Sequence, residues 1–172
     1  MLCFSKKEGE KMINEVIKPD IPYILSETTQ IAYSKFKALI QKIFSLLKRN
    51  KKEKNIKEEF YDSYMDFARK LDEEGFKNES YDYMAICAMY YDLMDRPAEL
   101  INHEGFFNDL FKAFDELLSA KINNPKEYDS KYDEFLLYCG KMQQYYYTHI
   151  AIPSEYYDRD VLNEITNHLL GD

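Results

Sequence analysis

Between Tyr81 and Tyr91 the sequence reads YDYMAICAMYY, and Asp82 is its only group charged at neutral pH. Continued to Met94, the stretch places apolar or aromatic residues in every helical direction. That pattern is expected of a helix packed on all sides. At fourteen residues it is too short to span a bilayer, so the protein itself must bury it. The rest of the chain is therefore read as wrapping around a core helix over 81–94.

The neighbouring pattern is helical as well. Ser5 and Glu8 have capping-box spacing, and Met12, Ile13, Val16 and Ile17 follow as one stripe that Pro19 ends. Ser26 is the expected N-cap of a second helix running to about Arg49, with Ile31, Phe36, Leu39, Ile40, Ile43, Phe44 and Leu47 on its apolar face. The basic segment 48–57 is expected to be a solvated turn or a helix extension. A third helix is expected from Glu58, carrying Phe60, Tyr64, Phe67, Ala68 and Leu71 and stopping at Gly75. Ser80 is expected to cap the core helix, which makes 58–94 an antiparallel hairpin.

Beyond it, Pro97 is expected to open a short helix to His103. Gly105 then separates this piece from a long helix over 106–120. Asn124-Pro125 starts the next helix, whose stripe is Tyr128, Tyr132, Phe135, Cys139, Met142 and Tyr146. A last helix over 154–170 shows Val161, Leu162, Ile165 and Leu169. No alternating strand stands between turn signals, and five Gly and five Pro are too few for a turn-rich sandwich. The expectation is an all-α single domain, residues 1–172. Its six or seven helices form a compact bundle or an irregular, α-solenoid-like array of hairpins. Ala85, Met89 and Pro97 are similar to three positions of the tetratricopeptide pattern. However, Gly75 stands ten residues before Ala85 and no Trp/Leu/Gly opening matches, so the bundle is preferred.

Charge is divided unevenly. Residues 1–57 carry 13 Lys/Arg and 6 Asp/Glu, a net of +7, against −8 for the whole chain. The remainder is therefore at −15. Its acids would repel phosphates, which argues against nucleic acid. The basic N-terminal helices are expected to face the acidic body of the same chain or of a second copy.

No phosphate-binding glycine loop, H-E-x-x-H or Cys/His cluster is present, so neither a metal nor a cofactor is expected. Glu164 and His168 are four apart on one face and make half a metal site at most. Cys3, Cys87 and Cys139 lack C-x-x-C spacing and read as free thiols of a reducing, cytoplasmic setting. The N-terminus MLCFSKKEGEKM has no apolar run of signal-peptide length.

Three readings of function follow. The first is a non-enzymatic protein-interaction module of the inhibitor, antitoxin, immunity or adaptor kind. It would bind a basic partner through an acidic, Tyr-rich surface. Asp62/Asp66 and Asp129/Asp133 are like-charge pairs one helical turn apart, with Tyr61 and Tyr128 beside them. The second rests on R-P-A-E-L-I-N-H, residues 96–103, which resembles the R-x4-6-H signature of HEPN-type RNases. That resemblance implies an all-α, metal-independent RNase using Arg96 and His103. Pro97 and Gly105 give the segment its own ends, whereas the family's motif starts a long helix. The third is peripheral membrane binding through the basic amphipathic stretch 26–57. Core packing of its apolar stripe is preferred.

Overall fold

A computed structural model describes residues 25–151, and within them the chain is all α-helix apart from turns. Six helices follow one another. They are α1 (Glu27–Lys48), α2 (Ile56–Glu73), α3 (Lys77–Leu93), α4 (Pro97–Asn102), α5 (Glu104–Asn123) and α6 (Tyr128–His149). A 3₁₀ turn, Pro125–Glu127, leads into α6. The expected helices over 5–18 and 154–170, the Glu164/His168 pair and Cys3 lie outside the described residues.

Local chemistry sets the helix ends. The Ser26 side chain accepts from the Thr29 backbone N–H at 3.3 Å, which caps α1 as expected. At the other end Asn50 takes φ 52°, donates to the Leu47 carbonyl, and is followed by Lys51 donating to Leu46. This is a Schellman turn with Asn in the left-handed place usually held by Gly. Gly75, at φ 93°, does the same for α2: Phe76 N–H reaches the Leu71 carbonyl, and both side chains are fully buried. Within the segment 48–57, Lys48 closes α1, Ile56 and Lys57 open α2, and the residues between them are a turn.

Two expected boundaries move. Helix α3 begins at Lys77, so Ser80 lies inside its first turn, where its hydroxyl donates to the Ala68 carbonyl at 2.6 Å. Helix α5 begins at Glu104, and Gly105 sits within it with open space where a Cβ would project.

The core is aromatic. Tyr83 of α3 lies 5.2 Å from Phe67 of α2, 5.3 Å from Phe36 of α1 and 5.4 Å from Phe114 of α5, ring centre to ring centre. Each such buried ring removes enough apolar area from water to contribute about 2–3 kcal/mol. Helix α3 therefore meets α1, α2 and α5 around one side chain, and it also packs against α4 and α6. It is not enclosed on every side, however. Tyr81 is 70% exposed and Ala88 also faces solvent, while α5 carries more fully buried residues than α3. Composition alone made α3 look wholly internal, because Tyr and Ala are read as apolar although both are tolerated in water.

The apolar stripe of α1 is in this core through Phe36, Ile40, Ile43 and Phe44, with Tyr33 joining it; Ile31, assigned to the same stripe, is 47% exposed. The basic residues of α1 and of the start of α2 meet the acidic body as expected. Lys37 pairs with Asp115 at 2.6 Å, Lys48 with Glu104 at 2.6 Å and Lys57 with Asp95 at 3.0 Å. No helix among the described residues is long and apolar enough to cross a membrane.

Candidate functional site

Helix α6 is attached by an unusual set of bonds. Only Phe135 and Met142 of its residues are fully buried. Four tyrosine hydroxyls along its inner face donate to carboxylates of the helices beneath. Tyr128 reaches Glu79 and Tyr132 reaches Asp82, both near the start of α3. Tyr146 reaches Asp92 at the other end of α3, and Tyr145 reaches Glu99 of α4. Burial, and then the adjoining carboxylate, pushes all four phenols upward, Tyr145 and Tyr146 to about 12.

With Tyr128, Tyr132, Tyr145 and Tyr146 turned inward, α6 has an opposite face that no other described element covers. Asp133, Leu137, Gly140, Gln144 and Tyr147 follow at spacings of four, three, four and three, which is one stripe of a helix. Leu137 is 66% exposed, Leu136 beside it 44% and Tyr147 41%. A Cβ added at Gly140 would meet nothing. Asp129 continues the stripe at the N-terminal end and is exposed like Asp133. The face therefore presents two leucines and a tyrosine among polar residues, with two carboxylates at one end that pair with no cation among the described residues.

The acidic pairs expected from the sequence are divided between α2 and α6, two helices that each pack on α3. On α2, Asp62 is exposed, but Asp66 is engaged by Lys70 of the next turn. Both line an open groove along α1, where Lys35 and Lys42 stand opposite. Tyr61 is 46% exposed and packs edge-on to Tyr64 and Tyr91. Tyr128 is half-buried, with its hydroxyl on Glu79. Sequence reasoning missed Leu136, Leu137 and Tyr147. Their signal was the residue left over once Tyr128, Tyr132, Phe135, Cys139, Met142 and Tyr146 had been given to the inner face.

Arg96 and His103 flank α4. The Arg96 guanidinium donates to the His149 carbonyl at 3.0 Å and to Glu99 at 3.3 Å. The His103 ring lies 4.2 Å from the Tyr145 ring, and its Nδ1 is buried without a hydrogen-bond partner among the described residues. Burial lowers the His103 pKa, and nearby Glu99 opposes that only in part. The junction joins α4 to the end of α6 by ordinary packing and hydrogen bonds.

Among the described residues no three His, Cys, Asp or Glu side chains are grouped to hold a metal ion. Burial raises the Cys87 thiol far above its usual range and the Cys139 thiol to about 12, so both stay protonated at neutral pH. Compared with family models, curated proteins and solved structures, the chain matches none of them.

Proposed function

We propose that this chain is a protein-interaction module that docks a partner on the outer face of α6. The observation that carries the reading is Leu137, two-thirds exposed in the middle of a stripe that no described element covers. Leu136 and Tyr147 extend it, and Gly140 allows a partner's backbone or side chain to come close. Tyr and Leu supply contact area at small entropic cost, while Asp129 and Asp133 select a partner with basic residues beside an apolar ridge. An inhibitor, antitoxin-like or adaptor role fits such a face. The α2 patch is the weaker candidate, since Asp66 already has its cation and lysines line the same groove.

The RNase reading gains no support from the geometry. Arg96 is engaged by Glu99 and a backbone carbonyl, and His103 lies against Tyr145.

The test is capture of partners by the full chain at low and high salt, repeated with Leu137→Glu and Gly140→Trp. Both substitutions enter open space and leave the fold intact. A partner captured by the wild type in a salt-sensitive manner and lost with both variants is the expected result. Capture that ignores salt and both substitutions would overturn the proposal, as would sedimentation showing the face engaged by a second copy.

A further inference from the structure

A partly enclosed cavity of about 310 Å³ opens between the end of α1, the turn that follows, the start of α2 and the start of α4. Its volume is at the lower end of small-ligand sites, roughly 300–1,000 Å³. Ile43, Leu47, Ile56, Met94 and Leu100 make the wall apolar. Its charged groups are three lysines and two carboxylates, an excess of one cation in a chain of net −8.

The two carboxylates already have their cations. Asp95 holds Lys57 at 3.0 Å through both oxygens, with the Lys57 Nζ also 4.1 Å from the centre of the Tyr91 ring. Glu53 accepts from Lys42 at 2.9 Å. Lys51 and Lys52 are exposed at the mouth and pair with no carboxylate among the described residues. The Schellman turn fixes the base of Lys51, because its backbone N–H is held by the Leu46 carbonyl at 2.9 Å. The backbone of Lys51 is thus set before any ligand arrives, and the exposed side chains of Lys51 and Lys52 are free to turn towards a head group.

We infer that this cavity binds a small amphipathic carboxylate, with its hydrocarbon tail on Leu47, Ile56 and Leu100 and its head between Lys51 and Lys52. Inorganic phosphate would leave the apolar wall uncovered. A neutral alcohol would leave both ammonium groups without a counter-charge. A medium-chain fatty carboxylate satisfies both parts.

The test is calorimetric titration of the full chain with hexanoate, heptanoate and octanoate below their micelle-forming concentrations, with 1-octanol as the uncharged control. Affinity should rise about fourfold per added methylene, the value for burying one CH₂ group. Octanol should bind about tenfold more weakly than octanoate. Paired reversal, Lys51→Glu with Lys52→Glu, should weaken octanoate about tenfold, as expected when two exposed attractions become repulsions. Its thermal melt should stay unchanged. The Met94 methyl resonance, assigned with Met94→Leu, should move on titration. Absence of binding, octanol binding as well as octanoate, indifference to the double reversal, or a stationary Met94 signal would each overturn the inference.

Discussion

Glu79 and Lys121 form an ion pair at 3.1 Å in which the carboxylate is only 1% exposed. The same carboxylate oxygen takes the Tyr128 hydroxyl, so α3, α5 and α6 meet at one charge. Removing one partner of a buried pair leaves an uncompensated charge. Lys121→Met should therefore destabilise the protein by about 3 kcal/mol in urea titration. Replacing both ends, Glu79→Leu with Lys121→Met, should recover most of that loss.

Tyrosine to phenylalanine substitutions should have opposite signs at two sites. Tyr128→Phe removes a hydrogen bond to a carboxylate and should cost about 1.5–2 kcal/mol. The Tyr90 hydroxyl is buried and meets no hydrogen-bonding group among the described residues. Tyr90→Phe takes away that desolvated group and should raise stability by about 1 kcal/mol. The two variants, compared by the same urea titration, separate bonded from unbonded phenols.

Alkali should loosen α6 within a defined window. Unfolded tyrosines lose their protons near pH 10, whereas Tyr145 and Tyr146 hold theirs to about 12, chiefly through burial and then through Glu99 and Asp92. Above pH 10 the unfolded chain binds fewer protons, so stability falls as pH rises towards 12. The double variant Tyr145→Phe, Tyr146→Phe should show a shallower fall over that range, measured as melting temperature against pH.

Mild acid acts on His103. Burial lowers its pKa below the ordinary 6.5, with Glu99 opposing and the Tyr90, Phe106 and Tyr145 rings around it. Below pH 6.5 the unfolded imidazole takes up a proton before the folded one does. Stability is then lost as pH falls from 6.5 into the mildly acidic range. His103→Phe should flatten the melting temperature across that interval. The loss below pH 4.5 should remain, because Glu99, held low first by Tyr145 and then by Arg96, titrates there.

Two neighbours on α6 should respond very differently. Phe135 is 1% exposed and packs 5.1 Å from the Phe114 ring, so Phe135→Ala should cost about 3–5 kcal/mol. Leu137→Glu should change stability by less than about 0.5 kcal/mol. A large effect of Leu137→Glu in chemical denaturation would mean that the stripe is internal.

The helices were legible wherever the apolar spacing was unambiguous. Tyr128, Tyr132, Phe135, Cys139, Met142 and Tyr146 form the inner stripe as expected, and Gly75 and Pro97 stand where their chemistry requires. Ser80 was misplaced because a serine before an apolar run fits both an N-cap and a buried position that donates to a preceding helix. The basic-to-acidic inversion correctly anticipated pairs such as Lys37–Asp115 and Lys48–Glu104. That Asp82 would need a donor such as a tyrosine hydroxyl was legible, but which tyrosine meets which carboxylate was not, since a bond such as Tyr132–Asp82 joins residues fifty apart that only the packing brings together. The outer face of α6 was hidden for a related reason. Leu136 and Leu137 look like core residues until the inner face is filled by others.

The tyrosine bonds beneath α6 conserve charge. A phenol is a neutral donor, so it satisfies Asp82 and Asp92 without cancelling the negative charge there, whereas Glu79 and Glu99 also hold the cations Lys121 and Arg96. Lysines in place of Tyr132 and Tyr146 would have removed two units of negative charge from the field. Because the helix is fastened by neutral groups, the acidic part of the chain keeps its long-range attraction for cations while using its own acids as fixings.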